Sequence, residues 1–282
     1  MQIKLRSNDY HVLLNTLGAE LNSYSDPSGK EYIWNSDPTY WLRSSPLLFP
    51  VVGNVRNGET VIKDHIYQMP KHGFCKESEF EVTEQTENSA TFLLKTNNET
   101  LKHYPYSFEL YLTYILNGST LSMNYKIINK DSDSMYYHIG AHPGFMLPVS
   151  DGENIENCIL RFEKEEDFIS YEYDLKNLEF DLNRKVSQKA AGNTLPLTIS
   201  MFDQDAVFCN FLRFSSDTTL YRIHRTGFAA SAAADAFRAV WFFHRVNLHL
   251  AGFCTFSTLD ALVMINSVAE YGYSIENRVK SP

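Results

Sequence analysis

The stretch GAHPGF, residues 140–145, places an imidazole where a strand must end. The preceding MYYHI is rich in aromatic and β-branched residues, which favours a strand. Pro143 has no N–H to give a ladder, so the strand is predicted to stop at His142 and turn. Rigid scaffolds present chemistry at such ends, and an imidazole exchanges protons near neutral pH. His142 is therefore a candidate for a role in chemistry, and the alternative is a histidine that caps a turn.

Three further blocks carry polar side chains next to apolar runs or turns. They read SSPLLFPVVGNVRNGE, MPKHGF and FDQDAVF, and each is a weak signal when taken alone. In chain order, the candidate residues of these blocks are Asn54, Arg56, His72, Phe74, Asp203 and Asp205. The two aspartates do not indicate a glycosidase, because hydrolysis needs two acids that face each other across a bond. The histidines show no helical i, i+4 pair and no companion cysteine, so no metal is predicted.

Composition limits the classes of partner. The 282 residues are 44% hydrophobic and 14% aromatic, which is enough for a large core. The net charge of −9 argues against nucleic acid and anionic membranes as partners. We expect neither a signal peptide nor a membrane span, because MQIKLRSNDYHVLL lacks a long apolar core. The four cysteines are scattered without a CxxC pair, so reduced thiols and a cytoplasmic location are predicted.

Period-two alternation predicts an all-β protein, a large antiparallel β-sandwich that forms a single domain over residues 1–282. YHVLLNTLGAELNSYSD indicates two strands separated at Gly18, and EFEVTEQTENSATFLLKTN indicates a hairpin around Thr86–Ser89. A second hairpin is predicted at the Asn117-Gly118 turn. Short helical segments are possible at 163–168 and 197–208. Residues 228–240, FAASAAADAFRAV, are rich in alanine although their flanks resemble strands.

In type and order, these blocks resemble the aldose 1-epimerase (galactose mutarotase) family, most closely its LacX-like bacterial branch. The resemblance rests on GAELNSYSDPSGKEYIWNSDPTYW, PLLFPVVGNV, KHGF, YPYSFELYLTY, GAHPGF and DQDAVF. It extends from Leu17 to Phe208 and returns at YGYSIE, residues 271–276, which resembles the closing strand of the family. It implies the galactose mutarotase-like supersandwich.

The resemblance also implies a chemistry that needs no cofactor. An aldohexose such as galactose or glucose exchanges its α and β anomers by opening its ring, which requires a base at O1 and an acid at the ring oxygen. The resemblance assigns the acid to His142 and a hydrogen bond near the reacting oxygens to His72. It assigns sugar contacts to Asp205 and, around the position of the family's arginine, to Asn54 or Arg56. Trp34, Trp41 and Phe74 are candidates for packing on the C–H face of the sugar, and the alternative for each is the core.

The glutamate base of the family is missing from its expected place near Gly252. No acid lies between Trp241 and Leu259. One interpretation is a homologue that kept a sugar pocket and lost turnover, which would make the protein a non-catalytic carbohydrate-binding or regulatory protein. The other is that residues from about 222 to 269 do not represent the natural sequence, and that the natural residue near Gly252 is an acid. A third hypothesis, a phosphorylated sugar as substrate, would use basic residues such as Arg43, Lys71 and Lys76.

Overall fold

Short antiparallel strands make up most of the regular structure. The computed structural model describes residues 1–146, 156, 158–161, 169–174, 179–187, 194–198, 263–265 and 268–276. Its strands are β1 (Gln2–Ser7), β2 (Tyr10–Asn15), β3 (Glu20–Ser25), β4 (Leu47–Leu48), β5 (Glu59–Ile62), β6 (His65–Gln68), β7 (Glu81–Gln85), β8 (Ser89–Lys95), β9 (Phe108–Asn117), β10 (Thr120–Asn129), β11 (Met135–Tyr137), β12 (Gly140–Ala141), β13 (Ile159–Arg161), β14 (Ile169–Asp174), β15 (Glu179–Ser187), β16 (Thr194–Pro196), β17 (Val263–Ile265) and β18 (Val268–Glu276). Helical structure within these ranges consists of α1 (Asn98–Leu101), 3-10 turns at Arg56–Gly58 and Cys75–Glu77, and a 3-10 conformation at Glu156.

Two sheets form the centre of the fold. The larger has five strands in the order β18-β10-β9-β8-β7, and the smaller has three in the order β1-β2-β3. β9 and β10 bury every second side chain, as expected for strands with one face toward a core. Their two-residue turn begins at Gly118, in agreement with the hairpin predicted there.

The two sheets share one apolar core. Residues of β1 and β2, such as Leu5 and Leu14, belong to the same buried cluster as Leu110 and Leu112 of β9. A hydrogen bond also joins β9 to the turn before β3, since the hydroxyl of Tyr114 donates to the carbonyl of Ala19 at 2.7 Å. Burial of apolar side chains on both inner faces is the main stabilising contribution in such a sandwich.

The predicted strands lie where the alternation placed them. β2 and β3 flank the break at Gly18, and β7 and β8 form the hairpin around Thr86–Ser89. YGYSIE lies in β18, which pairs with β10 in the five-stranded sheet. The possible helix at 163–168, the alanine-rich residues 228–240 and the position Gly252 lie outside the described residues. The segment 197–208 is described only at Leu197 and Thr198.

Candidate active site

His142 follows a very short strand that is held on one side by β4. β12 pairs with β4 in antiparallel register, and the N–H of His142 then donates to the carbonyl of Pro46 at 3.1 Å. Pro143 comes next and cannot extend the ladder, so the strand ends as the sequence predicts. The His142 side chain is almost enclosed, with 9% of the residue exposed.

His72 lies in a tight turn against the segment that follows β4. Its backbone has a positive φ of 66°, and its N–H donates to the carbonyl of Gly53 at 2.8 Å. The Nδ1 atom of its ring accepts a hydrogen bond from the N–H of Gly53 at 2.9 Å. Backbone and side chain of His72 are therefore both fixed by one residue.

Gly73 allows this turn to approach the core. Its φ is 71°, and a Cβ atom at this position would lie 2.1 Å from the carbonyl oxygen of Phe49. That oxygen accepts a hydrogen bond from the N–H of Phe74 at 3.1 Å. Only glycine combines this backbone conformation with so close a contact, so the GF of MPKHGF has a structural role in placing His72.

The two imidazoles come together although they lie far apart in the sequence. The ring centroids of His72 and His142 are 5.5 Å apart, with an interplanar angle of 41°. On its other contact, His142 meets the indole of Trp41 edge to face, at 5.2 Å between centroids and an angle of 73°. The structure thus assembles two histidines and one tryptophan from three separate segments.

The loop that carries Trp41 is tied to the GAHPGF segment. Trp34 donates from its backbone N–H to the carbonyl of Gly144, and its indole Nε1 donates to the carbonyl of Trp41, each at 2.9 Å. Gly144 in turn donates to the carbonyl of Ser44 at 2.7 Å. A Cβ atom at Gly144 would lie 2.8 Å from both Trp34 Cβ and Trp41 Cζ3, so the second glycine of GAHPGF makes room for the tryptophans.

A buried carboxylate anchors the end of the same loop. Glu20, 4% exposed, accepts hydrogen bonds at Oε1 from the N–H groups of Ser44 and Ser45 at 2.7 and 3.0 Å. Its Oε2 pairs with Arg43 at 3.2 Å, and Arg43 also contacts Glu77. Since a buried charge must be paired and hydrogen-bonded, this network holds the loop in one position.

Burial makes both imidazoles poor proton acceptors in the described part of the structure. It lowers the pKa of His142 to about 4, and the charge of Lys71 acts in the same direction, while a hydrogen bond with the His142 backbone opposes it. Burial lowers the pKa of His72 to about 3, with further contributions from His142, Lys71 and Lys76. Both rings are therefore neutral at pH 7 in this environment.

The other candidate residues have different positions. Asn54 is half-buried and follows Gly53, whereas Arg56 is exposed at the start of the 3-10 turn Arg56–Gly58. Phe74 is 6% exposed, belongs to the apolar core cluster and contacts four rings. Those rings belong to Phe49, His103, Tyr104 and Phe108. The proposed sugar contacts of these three residues stay predictions, and Asp203 and Asp205 lie outside the described residues.

Neither a metal centre nor a membrane-spanning helix is found in the ranges given above. No group of three or more His, Cys, Asp or Glu side chains there could hold a metal ion. No helix there is long and apolar enough to cross a membrane.

Comparison with known proteins identifies the family of the chain. The family model for aldose 1-epimerase matches residues 1–214. The chain belongs to the aldose 1-epimerase family. The match ends close to Phe208, where the motifs of the resemblance also end.

Relatives of this member of the family include the plasmid-encoded protein LacX of Lactococcus lactis subsp. lactis. It is 35% identical over 227 residues, which cover 77% of this chain and 75% of the relative. The solved structure of a galactose mutarotase related enzyme from Lactobacillus acidophilus superimposes with a TM-score of 0.66 at 33% identity, covering 72% of this chain and 67% of that one. A galactose mutarotase-like protein from Lactobacillus casei gives 0.64 at 29% identity, covering 72% and 69%. The predicted all-β, mutarotase-like fold is confirmed.

Sequence reasoning missed three contributors to the histidine pair in this epimerase family member. Gly53 acts through its backbone amide, Glu20 acts through the loop it anchors, and Gly144 acts by making space. Gly53 and Gly144 stand within the quoted motifs PVVGNV and GAHPGF, so their positions were visible. Their roles could not be predicted, because the residue type alone does not show which backbone amide donates a hydrogen bond or which glycine lies against another side chain.

Proposed function

We propose that the protein is an aldose 1-epimerase (mutarotase) that interconverts the α and β anomers of an aldohexose by acid/base ring opening. His142 is the acid, and His72 donates a hydrogen bond to the sugar. Asp205, Asn54 and Arg56 bind hydroxyl groups in this proposal, and no cofactor takes part.

The observation that carries the proposal is the enclosed pair of imidazoles. His72 and His142 come from separate turns and have ring centroids 5.5 Å apart, and His142 contacts Trp41. Proton transfer to a ring oxygen needs a positioned acid, and an imidazole in a site that restricts water can supply it. The face of an aromatic ring beside the histidine suits the apolar C–H groups of a sugar. Family membership supports the same reaction class and a sugar as substrate.

The proposed reaction moves two protons and breaks one bond. A base removes the proton from O1, the bond between C1 and the ring oxygen breaks, and the ring oxygen takes a proton from His142. Rotation about the C1–C2 bond presents the other face of the aldehyde, and closing the ring reverses both transfers. The His142 imidazole can give and recover its proton in each turnover.

Protonation of His142 depends on a negative partner. With a pKa of about 4, the imidazole carries a second proton in only about one molecule in a thousand at pH 7. A carboxylate within about 4–6 Å favours the charged form of a neighbouring imidazole. None of the charged groups that act on His142 in the described ranges is a carboxylate. We therefore propose that the base is a carboxylate whose charge also raises the pKa of His142 in the complete site.

Polarimetry tests the proposed activity. The optical rotation of freshly dissolved α-D-galactose or α-D-glucose should reach its equilibrium value faster with the protein than without it. His142→Ala should reduce the rate by about 10²–10⁴-fold, the usual contribution of a general acid. His65→Ala is the matched control, because His65 is exposed in β6, and it should keep the full rate.

Two further measurements separate the alternatives. If calorimetry shows sugar binding but polarimetry shows no acceleration of mutarotation, the proposal of an enzyme is refuted. That result would favour the non-catalytic, carbohydrate-binding homologue. Mass spectrometry of the peptide that spans residues 240–260 would show whether an acid stands near Gly252. Acceleration by a protein with no acid between Trp241 and Leu259 would place the base elsewhere in the chain.

A further inference from the structure

The ring of His72 receives a hydrogen bond at one nitrogen from the protein backbone. The N–H of Gly53 donates to Nδ1 at 2.9 Å, while the N–H of His72 donates back to the carbonyl of Gly53 at 2.8 Å. A backbone N–H is always a donor, so the nitrogen that faces it must offer a lone pair. The ring proton of a neutral His72 therefore lies on Nε2.

The backbone conformation keeps the Gly53 amide and the His72 ring in hydrogen-bonding contact. Gly53 and His72 both have a positive φ, of 86° and 66°, and they hold each other through the two hydrogen bonds. Gly73 then packs against the carbonyl of Phe49. If Nδ1 became protonated, two N–H groups would face each other at this short distance, and the partly buried amide of Gly53 would lose its acceptor.

We propose that the Gly53 amide makes His72 a permanent Nε2–H donor that binds the sugar without exchanging protons, so that His142 alone carries the proton of the pair. Gly53 is then a positioning residue that acts through His72. The inference rests on the proposed function for the identity of the ligand, although the state of the ring follows from the hydrogen bond itself.

The groups around His72 also disfavour protonation of its ring, because they lower its pKa. The groups that face it in the described ranges are His142, Lys71 and Lys76, and burial lowers its pKa further than any of them. Lys76 stays beside the turn, because its Nζ donates to the carbonyls of Lys71 and Gly73 at 2.6 and 3.2 Å. A positive charge so close disfavours an imidazolium at His72.

His142 has a different backbone environment. Its N–H donates to the carbonyl of Pro46 at 3.1 Å. Burial lowers the pKa of its imidazole most, and a hydrogen bond with its own backbone raises that pKa in part. The two histidines of the pair thus have unequal roles. One offers a hydrogen that stays in place, whereas the other exchanges its hydrogen with the ring oxygen of the sugar.

Nitrogen NMR of the full-length, ¹⁵N-labelled protein tests the state of His72 without any assay of activity. Two-bond ¹H–¹⁵N correlations should give His72 an unprotonated Nδ1 and a protonated Nε2, unchanged between about pH 5.5 and 8, where a free imidazole titrates. The His72→Gln spectrum identifies the signals. An Nδ1–H tautomer, or an imidazolium within this range, would overturn the proposal. If the tautomer is found but no mutarotation is, the proposed function fails and the fixed donor stands.

A pair of variants tests which nitrogen of His72 donates a hydrogen bond to the sugar. Glutamine reaches the position of Nε2, whereas asparagine reaches only that of Nδ1. In His72→Gln, KM should rise less than in His72→Asn, and the acidic limb of the kcat/KM profile should keep its midpoint. A shift of that midpoint in His72→Gln by one pH unit or more, roughly tenfold in proton affinity, would show that His72 titrates and would refute the proposal.

Discussion

Replacement of Gly73 by alanine tests the close approach that places His72. The new Cβ would lie 2.1 Å from the carbonyl oxygen of Phe49, more than 1 Å inside normal contact, and backbone atoms on both sides would have to move. Gly29→Ala is the matched control. Gly29 has a φ of 85°, close to the 71° of Gly73, but a Cβ there meets nothing within 4 Å.

The structure allows the cost to be divided into parts. Alanine in the left-handed region costs about 1–2 kcal/mol in both variants. Only Gly73→Ala adds overpacking, typically about 1–3 kcal/mol. It also disturbs the hydrogen bond from the N–H of Phe74 to the displaced carbonyl, with a contribution of about 1 kcal/mol. We expect Gly73→Ala to lower the free energy of unfolding by about 2–4 kcal/mol more than Gly29→Ala does.

Urea unfolding followed by circular dichroism measures this difference, and thermal unfolding should show a Tm at least about 4 °C lower in Gly73→Ala than in the control. The His72 signals in the ¹⁵N spectrum should shift in Gly73→Ala and stay in place in Gly29→Ala. Equal destabilisation of the two variants would refute the reasoning, because it would show that the left-handed backbone alone accounts for the glycine.

Three further outcomes are expected. Because burial lowers the pKa of His72 from 6.5 to about 3, the unfolded state binds more protons between these values. Stability should therefore fall by on the order of 5 kcal/mol as pH drops through this window, and His72→Gln, which cannot titrate, should reduce the slope of stability against pH. Gly144→Ala should cost about 1–3 kcal/mol by overpacking and change the near-ultraviolet dichroism of Trp41, whereas an unchanged signal would contradict the contact. Glu20→Gln should cost about 2–4 kcal/mol in urea unfolding, because it weakens a buried network of charged hydrogen bonds, while the exposed Glu79→Gln should stay within about 0.5 kcal/mol of the parent protein.

The strands were predictable because their signals are local. Alternation of apolar residues and the turn at Gly118 specify the β9–β10 hairpin, and the break at Gly18 separates β2 from β3. Pro143 likewise determines where β12 ends. Each of these features depends on residues within a few positions of one another, which is why a single sequence is sufficient to find them.

The site was predictable only in part. The resemblance named His72 and His142, but spacing alone could not bring together two turns so distant in the chain. The contact of Trp41 with His142 depends on Gly144, and the orientation of His72 depends on a backbone amide of Gly53. Every residue other than proline has such an amide, so its position becomes informative only in three dimensions.

Strand β18 has a consequence for how the chain folds. It covers one side of β10, with Ile128 opposite Val268 and Thr120 opposite Glu276, although a long stretch of chain separates the partners. During synthesis, β9 and β10 leave the ribosome well before β18, so the outer hydrogen-bonding groups of β10 stay open to other chains in the meantime. Closing so distant a pair is intrinsically slow. The nascent protein is therefore most prone to aggregate while its large sheet still lacks this last strand.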